Sequence, residues 1–235
     1  MLSTAHTPTN SISPENLKMT SSHHNPFHIF PSSDSAPIPS PSTTSFEITV
    51  PHSHATDIWQ KPANALSSTP IKTFNAPLIY KTIKLKEFHR ARVTISANFE
   101  RLYDQGGLVF ILPGEERKWI KTGIEFYSGD AYVSTVACDR WADWSLVQTG
   151  IRGEHGRKSV TIEAERNPEE GTLWLYIIDG EKRIPIREVT WVLSEGDEKE
   201  VWVGVYAATP TVEGRKEGDG LKVDFEGWEL EVSGF

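Results

Sequence analysis

From Phe46 onward, apolar and polar residues alternate in short runs, the signature of strands with one buried face. Val93-Thr94-Ile95-Ser96-Ala97-Asn98-Phe99 shows it most cleanly. Comparable runs occupy 107–112, 118–126, 131–138, 158–165, 172–179, 184–193, 201–208 and 221–233. Turn formers separate them, among them Asp104-Gln105-Gly106-Gly107, Pro113-Gly114, Ser128-Gly129-Asp130, Asp179-Gly180 and Gly218-Asp219-Gly220. No stretch carries helical periodicity with caps. Many short strands at close, regular spacing predict an all-β fold, a jelly-roll β-sandwich of two antiparallel sheets. No fixed-length repeat is present, which argues against a propeller. Residues 46–235 read as one domain.

Alternation also sorts side chains by face, because successive residues of a strand point to opposite sides. In 119–126, Ile120, Thr122, Ile124 and Phe126 form a core face, while Trp119, Lys121, Gly123 and Glu125 are presented. In 172–178, Leu173, Leu175 and Ile177 oppose Trp174 and Tyr176. In 201–207, Val201, Val203 and Val205 oppose Trp202 and Tyr206. If these strands share a sheet, its outer face sets aromatic rings among Lys, Glu, Asn and Ser. Rings beside hydrogen-bonding groups suit a sugar, whose C–H face stacks while its hydroxyls bond polar neighbours. Aromatics on both faces, covered by loops, would explain the same pattern without a ligand.

The first 45 residues differ. Ser, Thr and Pro fill 24 of these positions, and only Glu15, Lys18 and Asp34 are charged. Such a segment has little apolar surface to offset the entropy of ordering, so residues 1–45 are expected to form a disordered tail. The tail has no positive n-region or apolar h-region, so a secretory signal is not expected and the compartment reads as cytoplasmic or nuclear. His23-His24 and the Ser13-Pro14 and Ser40-Pro41 steps are explained by tail composition. The formal net charge of −8 argues against nucleic acid as a partner. No apolar run is long enough to suggest a membrane span.

Catalytic and cofactor chemistry finds little support. The single cysteine, Cys138, excludes an intramolecular disulfide. Metal-ligand spacing and a phosphate-cradling glycine loop are absent, and Asp219 with Asp224 supplies too few oxygens for calcium. No cofactor or metal is therefore expected. A glycosidase needs two carboxyls. Glu125 is a candidate for one, although Lys121 on the same face is expected to favour its ionised form. Asp143 and Ser145 read as turn caps that position Trp144. The Asp104-Gln105-Gly106-Gly107 turn has two compatible readings: glycines permitting positive φ, and Asp104 and Gln105 reaching a ligand at the rim.

Three ordered motifs, Tyr103-Asp104-Gln105-Gly106-Gly107-Leu108, Trp119-Ile120-Lys121-Thr122-Gly123-Ile124-Glu125 and Asp143-Trp144-Ser145, resemble the regulation-of-enolase protein family, the domain of unknown function 1349. The resemblance runs from about residue 58 to 233. Arg166 and the Trp174-to-Gly180 hairpin also fit, whereas Ala142 stands where the family pattern often has Ser. The resemblance implies a concanavalin A-like lectin/glucanase jelly roll, and a fungal relative is linked to the control of enolase during growth on galactose. Inference from fold alone is associational. Three functions stay open: a non-catalytic binding protein for a carbohydrate or sugar phosphate, a protein-interaction module for a glycolytic enzyme such as enolase, and a glycoside hydrolase. The candidate ligand-binding residues are Tyr103, Asp104, Gln105, Trp119, Lys121, Glu125, Asp143, Trp144, Trp174, Tyr176, Trp202 and Tyr206.

Overall fold

The computed structural model describes residues 19–21, 25–31, 38–51, 53–153, 156–211, 213 and 220–233. Their strands, in chain order, begin with β1 (Met19–Ser21), β2 (Phe27–Phe30), β3 (Phe46–Pro51), β4 (Ile58–Lys61), β5 (Ile71–Phe74) and β6 (Leu78–Lys84). The middle of the chain supplies β7 (Phe88–Ala97), β8 (Gln105–Leu112), β9 (Lys118–Tyr127), β10 (Asp130–Cys138) and β11 (Ala142–Val147). The last are β12 (Lys158–Asn167), β13 (Thr172–Asp179), β14 (Lys182–Val189), β15 (Glu200–Ala208) and β16 (Gly220–Ser233). A strand lies in every run that the alternation marks out, although 184–193 is strand only as far as Val189 and then enters a 3-10 turn, Val192–Ser194.

Two sheets of seven strands pack face to face. The front sheet runs β11-β10-β9-β8-β15-β6-β2; the back sheet runs β1-β16-β7-β12-β13-β14, with β3 also paired to β16. Each pairing is antiparallel, so this is the concanavalin A-like jelly-roll sandwich expected from the motifs. Between the sheets lies one apolar layer. The front sheet contributes Leu108, Phe110, Ile120, Ile124, Val201, Val203 and Val205; the back sheet contributes Val93, Ile95, Ile162, Leu173, Leu175, Ile177 and Phe225. Ile120, Ile124, Leu173, Leu175, Ile177, Val201, Val203 and Val205 among them are residues that alternation assigned to the core.

The outer face of the front sheet carries a second apolar cluster, comprising Leu78, Tyr80, Val109, Ile111, Trp119, Val136, Cys138 and Tyr206. It is roofed in part by the β4–β5 hairpin, through Ile58 and the packed Trp59 and Phe74. This hairpin gives the sandwich a third, local layer and forms one wall of the cleft described below.

Two expectations are revised here. Trp174 and Tyr176 do not share a sheet with Trp119, Trp202 and Tyr206, because β13 belongs to the back sheet. Alternation assigns a face within a strand but contains nothing about which sheet the strand joins. The domain also reaches further toward the N-terminus than Phe46: β2 pairs with β6, β1 pairs with β16, and Phe27 is 2% exposed in the core. The short apolar stretch Phe27–Phe30 was hidden by the average composition around it. Residues 1–18, 22–24 and 32–37, including His23, His24 and Ser13-Pro14, lie outside the described residues. Among the described residues, no helix is long and apolar enough to cross a membrane.

Candidate functional site

A cleft of about 390 Å³ opens on the outer face of the front sheet. Gln105, Lys121, Glu125 and Val136 lie at its base on β8, β9 and β10; Trp59, Lys61, Tyr103 and Trp144 line it as well, with Asp57, Pro210 and Thr211. Strand geometry explains the open base. Lys121 and Glu125 are four residues apart on one face of β9, and the residue between them on that face is Gly123, opposite Gly107 of β8. Neither glycine carries a side chain to fill the gap.

These glycines serve close approach rather than turn geometry. A Cβ on Gly123 would stand 2.1 Å from the Gly106 carbonyl oxygen, and one on Gly107 would stand 2.1 Å from that of Thr122. A Cβ on Gly106 would meet Val223 across the sandwich at 2.8 Å. The expectation of positive φ at the paired glycines is corrected accordingly: both lie in β8, and Tyr103 holds the positive φ, at 68°. A bulky residue in this region is strained by about 1–3 kcal/mol. Neighbours hold it there, since its N–H donates to the Phe126 carbonyl at 2.7 Å and Gln105 Nε2 donates to its carbonyl at 3.1 Å.

Three half-buried rings meet a fourth, Trp144, edge to face: Trp59 at 6.3 Å, Tyr103 at 6.2 Å and Tyr127 at 5.4 Å between ring centroids. Below them runs a polar row. Lys121, 2% exposed, donates to Asp57 Oδ1 at 3.0 Å and to Gln105 Oε1 at 2.7 Å. Tyr206 Oη donates to the same Gln105 oxygen at 3.2 Å. The rings of Trp59, Trp119 and Tyr206 surround the Lys121 ammonium at 5.7–5.9 Å. A cation desolvated in this way is stabilised by ring quadrupoles as well as by its carboxylate. Asp57 is fixed by its neighbours: its N–H donates to Asn75 Oδ1 at 2.8 Å, and its Oδ1 accepts from the Ile58 N–H at 2.7 Å.

Glu125 is buried at the other end of the row. Ser134 Oγ donates to Glu125 Oε2 at 2.6 Å, and Trp144 Nε1 donates to Ser134 Oγ at 3.0 Å. Burial pushes the Glu125 carboxyl above its ordinary range, and nearby Asp57 adds to this; Lys121, Ser134 and Trp144 oppose it without overcoming it. Lys121 favours the ionised form of Glu125, as expected, but it is outweighed. The Lys121 ammonium is paired with Asp57, and desolvation of the carboxyl dominates.

Of the candidate residues, Tyr103, Gln105, Lys121, Glu125 and Trp144 come together in the cleft. Trp119 lies on the presented face but is 2% exposed, covered by the hairpin side of the second cluster. Tyr206, also 2% exposed, supports the base from beneath. Trp202 stacks on Tyr80 at 4.5 Å, away from the lining. Asp104 closes the turn instead of facing a ligand: its Oδ2 accepts from the Arg101 N–H at 3.1 Å. Asp143 and Ser145 are not turn caps but residues of β11, where Arg187 of β14 donates to Ser145 Oγ at 2.6 Å and to Asp143 Oδ2 at 3.4 Å. That contact ties one edge of the front sheet to the edge of the back sheet. Trp174 and Tyr176 line a separate depression on the back sheet with Glu165, Arg166 and Pro185.

Sequence reading missed Asp57, Trp59, Lys61, Pro210 and Thr211. The available signal was Trp59 and Lys61 at alternate positions of a four-residue strand, matching the Trp-x-Lys of 119–121. Nothing local shows that this strand folds over the front sheet.

The family model for "Protein of unknown function (DUF1349)" matches residues 36–233. An uncharacterized protein of Emericella nidulans, AN7484, is 47% identical over 80% of this chain and 87% of its own length. Regulation of enolase protein 1 of Saccharomyces cerevisiae is 30% identical over 60% of this chain, and the match spans 62% of that protein. A crystal structure of a functionally unknown protein from Saccharomyces cerevisiae superposes with a TM-score of 0.58 at 23% identity, covering 80% of this chain and 89% of that one. The last likeness concerns the fold alone. Since the family model spans the sandwich with its cleft, the chain belongs to the DUF1349 family.

Proposed function

We propose that the front-sheet cleft binds a saccharide and that the protein is a non-catalytic binding or regulatory protein. One observation carries this reading: the rings of Trp59, Tyr103 and Trp144 converge over the Gln105, Lys121 and Glu125 row in a single cleft. A sugar ring needs an apolar face for its C–H groups and fixed donors and acceptors for its hydroxyls, and this cleft offers both. The polar row is already hydrogen-bonded within the protein, so little ordering is required when a ligand arrives. The relative named for regulation of enolase supports a place for such binding in enolase-linked, glycolytic control.

A second reading rests on the presence of two carboxyls in the cleft, Asp57 and Glu125, since a glycosidase works with two. Binding is placed first because Asp57 Oδ1 is already occupied by Lys121 and the Ile58 N–H. Calorimetric titration with a panel of mono- and oligosaccharides tests the proposal, with product analysis of the same mixtures. Saturable one-site heat without cleavage is expected. Cleavage abolished by Glu125→Gln would favour the hydrolase, and absence of heat throughout would point to a protein partner, for which purified enolase is the first to try.

A further inference from the structure

The hydrogen bonds around Glu125 run in one direction. An indole N–H can only donate, so Ser134 Oγ must accept from Trp144. The Ser134 proton is thereby directed to Glu125 Oε2. That arrangement is kept when a proton on the carboxyl sits on Oε1, the oxygen that does not accept from Ser134. Oε1 is the oxygen that Ser134 leaves for a ligand in the cleft that Glu125 lines.

The balance of charge in the cleft turns on Glu125. Lys121 and Asp57 form one internal pair. Lys61, half-buried in the cleft lining, has no ion pair or side-chain hydrogen bond among the described residues. Burial raises the Glu125 pKa, which favours the neutral acid. A neutral Glu125 leaves the lining with one cation in excess and one O–H donor, whereas an ionised Glu125 cancels that excess. A neutral sugar hydroxyl can serve either group, but an anionic oxygen satisfies both at once.

We propose that the cleft selects a saccharide carrying an anionic oxygen group, a carboxylate or a phosphate, with Lys61 as its cation and Glu125 Oε1 as its hydrogen-bond donor. This deepens the saccharide reading and rests on it. The groups facing Glu125 are Lys121 on its own strand, Gln105 on β8, Tyr132 and Ser134 on β10, Trp144 on β11, Tyr206 on β15, Tyr103 before β8, and Asp57 and Lys61 on the segment across the cleft. Of these, Asp57 raises its pKa and Lys121 lowers it. Binding of an anionic sugar is therefore expected to weaken as pH rises through the Glu125 titration.

The test is calorimetric titration of the full chain with glucose, glucuronate and glucose 6-phosphate at about pH 5.5 and about pH 8. The expected result is that one of the two anionic sugars binds roughly tenfold more tightly than glucose at the lower pH. Which of them does so separates carboxylate from phosphate. Lys61→Gln should bring the ratio close to one. Glu125→Gln, whose amide can donate where Oε1 does, should keep the preference and flatten its pH dependence beyond the ligand's own titration. Equal affinity for the three sugars overturns this inference while leaving the saccharide reading in place. A preference that survives Lys61→Gln overturns the assignment of the cation. Absence of binding by all three overturns both the inference and its basis.

Discussion

Glu125 and Lys121 lie on one face of one strand, yet Lys121 Nζ bonds Asp57 and Gln105 while Glu125 bonds Ser134. Separation decides this: residues four apart on a strand are about 13 Å apart along it, beyond the reach of a direct pair. Glu125 is thus left with burial as its dominant influence, and its pKa rises from the ordinary 4.5. The sign of the stability effect follows. Between 4.5 and the folded value, the folded chain holds more protons than the unfolded one, so stability falls as pH rises through that window. Above the folded value the loss is complete and constant. Glu125→Gln cannot ionise, so its stability relative to wild type should increase across the window and then level off. Urea midpoints over a pH series measure this, and a difference independent of pH contradicts it. Ser134→Ala removes the acceptor of the Trp144 N–H and the donor to Glu125, and should destabilise by about 1–3 kcal/mol in urea denaturation.

At the scale of elements, the cleft depends on what β8 and β9 omit. Gly123→Ala places a Cβ where the Gly106 carbonyl oxygen stands 2.1 Å away, which only a backbone shift could relieve. A cost of about 3 kcal/mol is expected, read from the urea midpoint, together with loss of ligand binding as the base fills. β2 is an element of similar weight despite its position: Phe27 packs on Phe46 at 5.0 Å and near Trp228 at 6.5 Å. Phe27→Ala should cost about 3–5 kcal/mol, whereas a substitution in a solvated tail would be nearly silent. Period-two alternation made most strands, their core faces and the presented positions of β9 legible, because burial on one side of a pleat leaves that trace directly in the sequence. It did not reveal that Trp119 is roofed over while Trp144 lines a cleft, since both are aromatics in strands. That difference is set by the β4–β5 hairpin, whose placement is a long-range property. Asp57 was invisible for the same reason: its partner Lys121 lies 64 residues away.

For the whole molecule, the two outer surfaces are built differently. On the back sheet, Arg90, Arg92 and Arg183 share Glu163, and Glu165, Glu229 and Glu231 complete an ion-pair network. Charges there are matched to one another. The front sheet has rings and buried polar groups around an open volume, with a hairpin along one side. The proposed binding uses the front face, where the rings and the polar row line one cleft. The most direct test is tryptophan fluorescence titrated with the saccharide panel, on wild type and on Trp59→Ala and Trp144→Phe variants whose folding is verified by circular dichroism. A saturable change in wild type that is lost or strongly weakened in Trp59→Ala is the expected result. Binding of a saccharide with unchanged affinity in both variants would contradict the assignment of this cleft.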